Sequence, residues 1–441
     1  MVGEQSPPGP DRIMPQRLPF LGVAGDGRFT LGRPRVLFVA CHLPYPPYSG
    51  GRRREYELIR RLRAAFDVTV AAVSKTYAED VAAAPALKEH CVDVSVFAAE
   101  PSPTGPSVEP AQVVRHTAPL LTRHVRRAVE GSEFDLVHVE GFYLMQHVPD
   151  PCPLPVLLVE QNVEYVLWRQ RASAAPSKHE RDAAVTEYFR TLEAETAAWA
   201  RADLCAALTG EDAAIMRAAL PGVDVRRVPD GVDHLAPATS HRGPRTGEAV
   251  VFAANFGYQP NVDAALYLCD EIWPRVMRRR PSAQLLLVGN APPAEVLALA
   301  RRRNVVVTGR VPSVDPFLDL AAVVVCPLRI GGGIKVKMLE AMSRGKAIVS
   351  TPVGAQGLDA FAGAGFLVEE HPAAFAHAVV SVLADVELRR GLERGARRSA
   401  SRLPAWDEAA LALGGCYREL LARRAVDVAE ATLAPASGGA T

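Results

Sequence analysis

The sequence predicts an α/β protein: two doubly wound parallel-sheet domains in tandem, facing each other across a central cleft. Three observations carry this. Short valine-rich runs recur along the chain, each suited to a strand buried on both faces. Stretches with helical spacing separate them, the alternation that parallel sheets require. The alternation pauses at residues 235–248, LAPATSHRGPRTGE, whose composition is that of a linker, and then restarts.

Composition sets the bounds. At 441 residues, 49% apolar and 22% charged, the chain is an ordinary globular protein with two domains as the natural prior. A formal net charge of +1 gives no support to a nucleic-acid partner. The seven scattered cysteines form no CxxC pair, so neither a zinc nor a redox signature is present, and a reducing cytoplasm is expected. No apolar run reaches the roughly 18–20 residues of a membrane span, and the N-terminus lacks the apolar core of a signal peptide.

The elements follow in order. Residues 1–34 are rich in Pro, Gly and charge and are expected to be a disordered leader. Residues 35–235 form the first domain. Its strands are expected at 35–41, 67–73, 92–97, 135–139, 156–159, 203–207 and 225–228, with helices at 55–65, 112–130 and 179–201. Residues 236–405 form the second, with strands at 249–253, 284–288, 305–308, 322–326, 347–350 and 366–368. Its helices are expected at 262–280, 373–383 and 386–402, together with one beginning at Ile334. A last helix, 406–425, is expected to pack back toward the first domain, ahead of a disordered tail at 426–441. In such sheets ligands bind at the carboxyl ends of the strands. The loops after Cys41, Val139, Val159, Ala253, Val288, Thr308 and Cys326 should therefore line the cleft.

The chemistry concentrates at residues 322–352, AVVVCPLRIGGGIKVKMLEAMSRGKAIVSTP, which read as strand, glycine bend, helix, strand. Gly331, Gly332 and Gly333 let the backbone approach a ligand closely. The helix start beyond them offers free N–H groups and a positive dipole end, which favour a phosphate. Ile334, Met338, Leu339 and Met342 share one stripe, and Lys335 falls inside it in the first turn. Lys335 is read as a phosphate ligand; the alternative is a snorkelling lysine covering apolar surface.

These segments resemble a GT-B-fold glycosyltransferase of the large retaining group usually called family 4. The motifs are FAANFGYQPNVDAA (252–265), LLLVGN (285–290), VTGRV (307–311) and PLRIGGGIKVKMLEAMSRGKAIVSTPVGAQGL (327–358), with VPDGVD (228–233) at the connection. The resemblance covers about residues 35–425. It implies two Rossmann-like domains, the first for the acceptor and the second for a nucleotide-diphosphate sugar used as co-substrate. It also implies transfer with retention at the anomeric carbon.

Carried over residue by residue, the resemblance makes Gly331, Gly332, Gly333, Ile334 and Lys335 the diphosphate cradle. Glu340 is implied to hold the ribose hydroxyls; the alternative is a surface glutamate paired with Lys337 and Arg344. Arg310 lies where relatives hold the base, and Asn255 flanks the loop after the first strand of the donor half. Arg329, just before the glycines, can reach a phosphate bidentately. Gly50 and Gly51 resemble the glycine loop of the first half, and Arg52, Arg53 and Arg54 after them suit a bound anion or plain solvent. Two departures stand out. Gly332 lies where many members carry glutamate, and Gln161 neighbours the place of a loop histidine.

For catalysis the candidates are Glu160 and Glu140, which end strands and are expected to face the cleft, where either can orient an acceptor hydroxyl or take its proton. The alternative is a strand-end carboxylate that caps a helix. His138 is read as a core histidine. No DxD pair ends a strand and no His/Asp cluster has ligand spacing, so no metal and no cofactor are expected. Two other readings keep the fold: a nucleotide-sugar 2-epimerase or phosphorylase, and a non-catalytic nucleotide-sugar binder. The acceptor is not legible.

Overall fold

The computed structural model describes residues 21–23, 29–102, 105, 107–233 and 247–433. A short antiparallel pair, β1 (Leu21–Val23) with β2 (Phe29–Leu31), precedes the sheets. This corrects the expectation of a leader without structure at those positions. The rest of its first 28 residues, the linker positions 234–246 and residues 434–441 lie outside the described residues.

The first half contains β3 (Arg35–Ala40), β4 (Asp67–Ser74), β5 (Asp93–Ala98), β6 (Leu136–Glu140), β7 (Val156–Glu160), β8 (Leu204–Ala207) and β9 (Val225–Arg227). They form one seven-stranded parallel sheet in the order β5-β4-β3-β6-β7-β8-β9. The second half contains β10 (Ala249–Ala253), β11 (Gln284–Val288), β12 (Val305–Val307), β13 (Val323–Cys326), β14 (Ile348–Ser350) and β15 (Leu367–Val368). Its six strands, also parallel, run β12-β11-β10-β13-β14-β15. Central strands are apolar on both faces because helices cover both: Val36 through Ala40 and Val323 through Cys326 are buried. Strand order reverses between β3 and β6 and again between β10 and β13, so each sheet has its switch-point crevice there.

Several helix boundaries differ from expectation, each for a local reason. The helix Gly50–Leu62 opens well before residue 55, because Ser49 caps it by accepting from the Arg52 N–H. The stretch 112–130 divides into Ala111–Arg115 and Pro119–Glu130, since Pro119 disfavours helix in the residue before it. The helix after β10 begins at Gln259 and runs to Arg279 through a π turn, Leu268–Ile272. Pro274, which has no N–H to give the ladder, follows that turn. The helix after the glycine bend is Val336–Ser343; Gly333 at φ +58° and extended Lys335 keep Ile334 and Lys335 out of it.

The helix Glu164–Ala174, not anticipated from sequence, leaves the carboxyl end of β7 and meets the second half. The C-terminal helix Trp406–Leu433 continues past residue 425. Its Trp406, Leu413, Tyr417 and Leu420 share a core with Phe38, Leu58 and Leu62, so the chain's end is packed onto the first half. Among the described residues no helix is long and apolar enough to cross a membrane.

Candidate active site

The glycine bend lies where the two halves meet. The Gly331 N–H donates to Gln170 Oε1 of the first half at 2.8 Å. A Cβ on Gly332 would lie 2.8 Å from Leu167 Cδ1 and 2.9 Å from Asn162 Cβ. A Cβ on Gly333 would lie 2.6 Å from the Gln161 carbonyl, at a φ that side chains rarely adopt. Gly332 therefore has a packing reason to be glycine: Asn162 and Leu167 fill the space a glutamate would need.

Lys335 caps this bend. Its Nζ donates to Gly333 O at 2.6 Å and Gly332 O at 2.9 Å. Burial first, then Lys337 nearby, lower its pKa to about 8, against the pull of Cys326, Asp212 and Glu211. Ile334 is half-buried and packs on the second-half core. Arg329 is engaged elsewhere: its guanidinium pairs with Asp263 and lies 4.7 Å over the Tyr267 ring. Asn255 shapes its own turn, accepting from the Gly257 N–H, while its carbonyl accepts from Asn261, which accepts in turn from Lys337 Nζ at 2.6 Å. Arg310 is exposed beside Gly309.

The helical pairing considered for Glu340 does not form. Lys337 is bound to Asn261, and Arg344 pairs with Asp319 and Asp315. Glu340 is half-buried; desolvation, then Asp315, raises its carboxyl pKa. The cations near it are Lys337, Arg344 and, from the first half, Arg53.

On the facing side, Gly50 and Gly51 are the first turn of a helix rather than a loop. A Cβ on Gly50 would lie 3.1 Å from Val336 Cγ2 of the second half, and one on Gly51 2.8 Å from Gln161 Oε1. Arg52 and Arg54 are neither solvated nor free for an anion. Arg52 reaches Asp80 at 3.3 Å, and buried Arg54 pairs with Asp230 at 2.6 Å and donates to the Val228 and Pro229 carbonyls. Arg53 keeps only a 3.7 Å approach to Glu57.

The two strand-end carboxylates are placed differently from expectation. Glu160 is buried under the helix Lys178–Arg201, accepting from Trp199 Nε1 at 3.0 Å, and does not face the cleft. Desolvation, reinforced by Glu195, holds its pKa well above the ordinary carboxyl value. Glu140 is also buried, but within a network. Its Oε1 meets His138 Nε2 at 2.9 Å and its Oε2 accepts from Gln161 Nε2 at 3.1 Å. Burial pushes its pKa up; His138, Arg54 and Gln161 outweigh that and leave it lowered. His138 is a core histidine, stacked on Phe38 and bonded to the Tyr417 hydroxyl at 2.8 Å. Gln161 Nε2 also donates to Glu55 Oε1 at 3.0 Å, so one amide bridges two buried carboxylates.

Residues 247–385 match the family model described as glycosyl transferases group 1. The chain has the GT-B fold, and its second half resembles that family. Solved structures agree on the fold. Sucrose-phosphate synthase from Thermosynechococcus elongatus is 18% identical with a TM-score of 0.69, covering 89% of this chain and 100% of that one. HepE from Anabaena, solved with UDP and glucose, is 14% identical with a TM-score of 0.62, covering 88% and 100%. WaaG, a glycosyltransferase involved in lipopolysaccharide biosynthesis, is 14% identical with a TM-score of 0.56, covering 85% and 97%. No curated protein matches the chain by sequence.

The structure thus brings Gly50, Gly51, Gly331, Gly332, Gly333 and Lys335 together where the halves meet, pairs Arg329 with Asp263 and buries Glu160 against Trp199. Sequence reasoning missed Glu55 and His42. Glu55 had a signal: it shares the i, i+3, i+4, i+7 stripe with Leu58, Ile59 and Leu62, and a carboxylate on a buried stripe calls for a partner. His42 had only its place at the end of the first strand.

Proposed function

We propose that this chain is a glycosyltransferase that moves a sugar from a nucleotide-diphosphate sugar to an acceptor hydroxyl, with retention and without a catalytic metal. The observation that carries the reading is the approach of two glycine turns across the cleft. The Gly50–Gly51 helix start lies against Val336, at the opening of the helix that follows Gly331–Gly333. Two helix N-termini thus lie close together, and the N–H groups and positive dipole ends of helix starts suit a diphosphate. Lys335 supplies the adjacent cation and Glu340 an unpaired carboxylate for the ribose diol. Charge developing on the leaving diphosphate is met by these fixed dipoles and by Lys335. HepE, with the same fold, was solved with UDP and glucose, which supports a nucleotide-sugar donor here.

The test is a binding and turnover screen with UDP-, GDP- and dTDP-sugars, followed by the anomeric configuration of the product by NMR. The expected result is one preferred donor, transfer in the presence of a chelator, and a retained configuration. An inverted product overturns retention; isomerised donor in the absence of acceptor overturns transfer.

A further inference from the structure

Cys41 and His42 leave the carboxyl end of β3, and Glu55 reaches them from the helix that opens at Gly50. Cys41 Sγ lies 3.1 Å from His42 Nδ1, and His42 Nε2 lies 3.2 Å from Glu55 Oε1. One ligand-type atom from each of the three lies within 4.8 Å of the other two. A second observation is independent of that clustering. Glu55 Oε2 is buried without a hydrogen-bond partner, and Glu55 has 0% exposure. Buried polar atoms in that state are rare and require a missing partner. We propose that Cys41, His42 and Glu55 bind a zinc ion or a similarly thiophilic divalent cation.

The donor set selects the metal. A thiolate, an imidazole and a carboxylate suit zinc, whereas magnesium and calcium take oxygen ligands. Zinc bonds of about 2.0–2.3 Å place tetrahedral ligands roughly 3.3–3.8 Å apart; Cys41 and Glu55 approach different nitrogens of the His42 ring, so one nitrogen ligates and the remaining group closes in from within 4.8 Å. Three protein ligands leave a fourth position for water. Supporting contacts are in place: Gln161 Nε2 holds Glu55 Oε1 at 3.0 Å, and the Tyr143 hydroxyl is bonded to Cys41. Lys75 faces Cys41, and His116 faces both Lys75 and His42. The site needs neither donor nor acceptor, so it stands independently of the transfer reading.

The test is a cobalt(II) titration of the full chain followed by displacement with zinc. The expected result is a thiolate-to-cobalt charge-transfer band that zinc bleaches and a hundredfold excess of magnesium does not. The band is absent in Cys41→Ser, and affinity falls at least tenfold in Glu55→Gln. Zinc raises the melting temperature of the wild type but not of Cys41→Ser. His42→Gln serves as the second ligand variant, with far-UV dichroism as the folding control. No band, a band that survives Cys41→Ser, or an affinity unchanged in both His42→Gln and Glu55→Gln overturns the site.

Discussion

The backbone N–H of Gly331 donates across the cleft to the side chain of Gln170 at 2.8 Å. The glycine bend of one half is therefore held by a helix of the other, and the helix Glu164–Ala174 works as a latch between halves. Gln356, which donates to Asp212 at 3.1 Å, adds a second tie.

The latch depends on the missing side chain at Gly332. In Gly332→Ala the new methyl meets Leu167 and Asn162, so the bend must draw away from the helix. Overpacking of this kind costs about 1–3 kcal/mol. A double-mutant cycle with Leu167→Ala, read by urea unfolding, should recover part of that loss. Strict additivity of the two changes would contradict the contact.

Arg54 fixes the connection between halves. Arg54→Ala leaves Asp230 and two carbonyls without their donor in a buried setting. Removing one partner of a buried pair typically costs about 3–5 kcal/mol. The expected outcome is a large fall in the urea midpoint, with Arg54→Lys recovering little because one ammonium cannot serve all three acceptors.

Glu160 should contribute nothing to turnover despite ending a strand. Glu160→Gln keeps an acceptor for Trp199 and is expected to retain donor turnover. It also has a pH signature. The folded-state pKa of Glu160 is raised, so between the ordinary carboxyl value and that raised one the folded protein holds a proton the unfolded chain has lost. Its contribution to stability therefore falls as pH rises through that window. Urea midpoints measured from pH 4.5 to 8 should decline less in Glu160→Gln than in the wild type. Identical declines, or lost turnover, would show that Glu160 is not a core group.

Glu340 should matter for binding and not for folding, because Lys337 and Arg344 are committed to other partners. Glu340→Gln is expected to leave the melting temperature within about 2 °C, since no bond is lost. It should weaken nucleoside diphosphate binding roughly tenfold, as charged hydrogen bonds contribute about 1.5–3 kcal/mol. Calorimetric titration checks both halves of the statement.

The fold was legible because buried parallel strands announce themselves as short apolar runs, as RVLFVA at β3 and VVVC at β13 do. The glycine bend was legible from spacing alone. What was not legible depended on partners distant in sequence. Arg329 reads as a free loop cation until Asp263 is seen beside it. Glu160 and Glu140 sit at equivalent ends of neighbouring strands, yet one meets Trp199 and the other His138 and Gln161. Periodicity places a side chain on a face; it does not say which helix covers that face.

The most direct test of diphosphate docking at the glycine bend is calorimetric titration of UDP, GDP and dTDP into wild type and Lys335→Ala at pH 8, in buffers of differing ionisation enthalpy. Lys335 has a pKa of about 8 and is there roughly half protonated. An arriving diphosphate should raise that pKa, so binding to the wild type takes up a fraction of a proton, and Lys335→Ala loses both this uptake and at least tenfold in affinity. Equal affinity and equal proton uptake in the two proteins would contradict docking there.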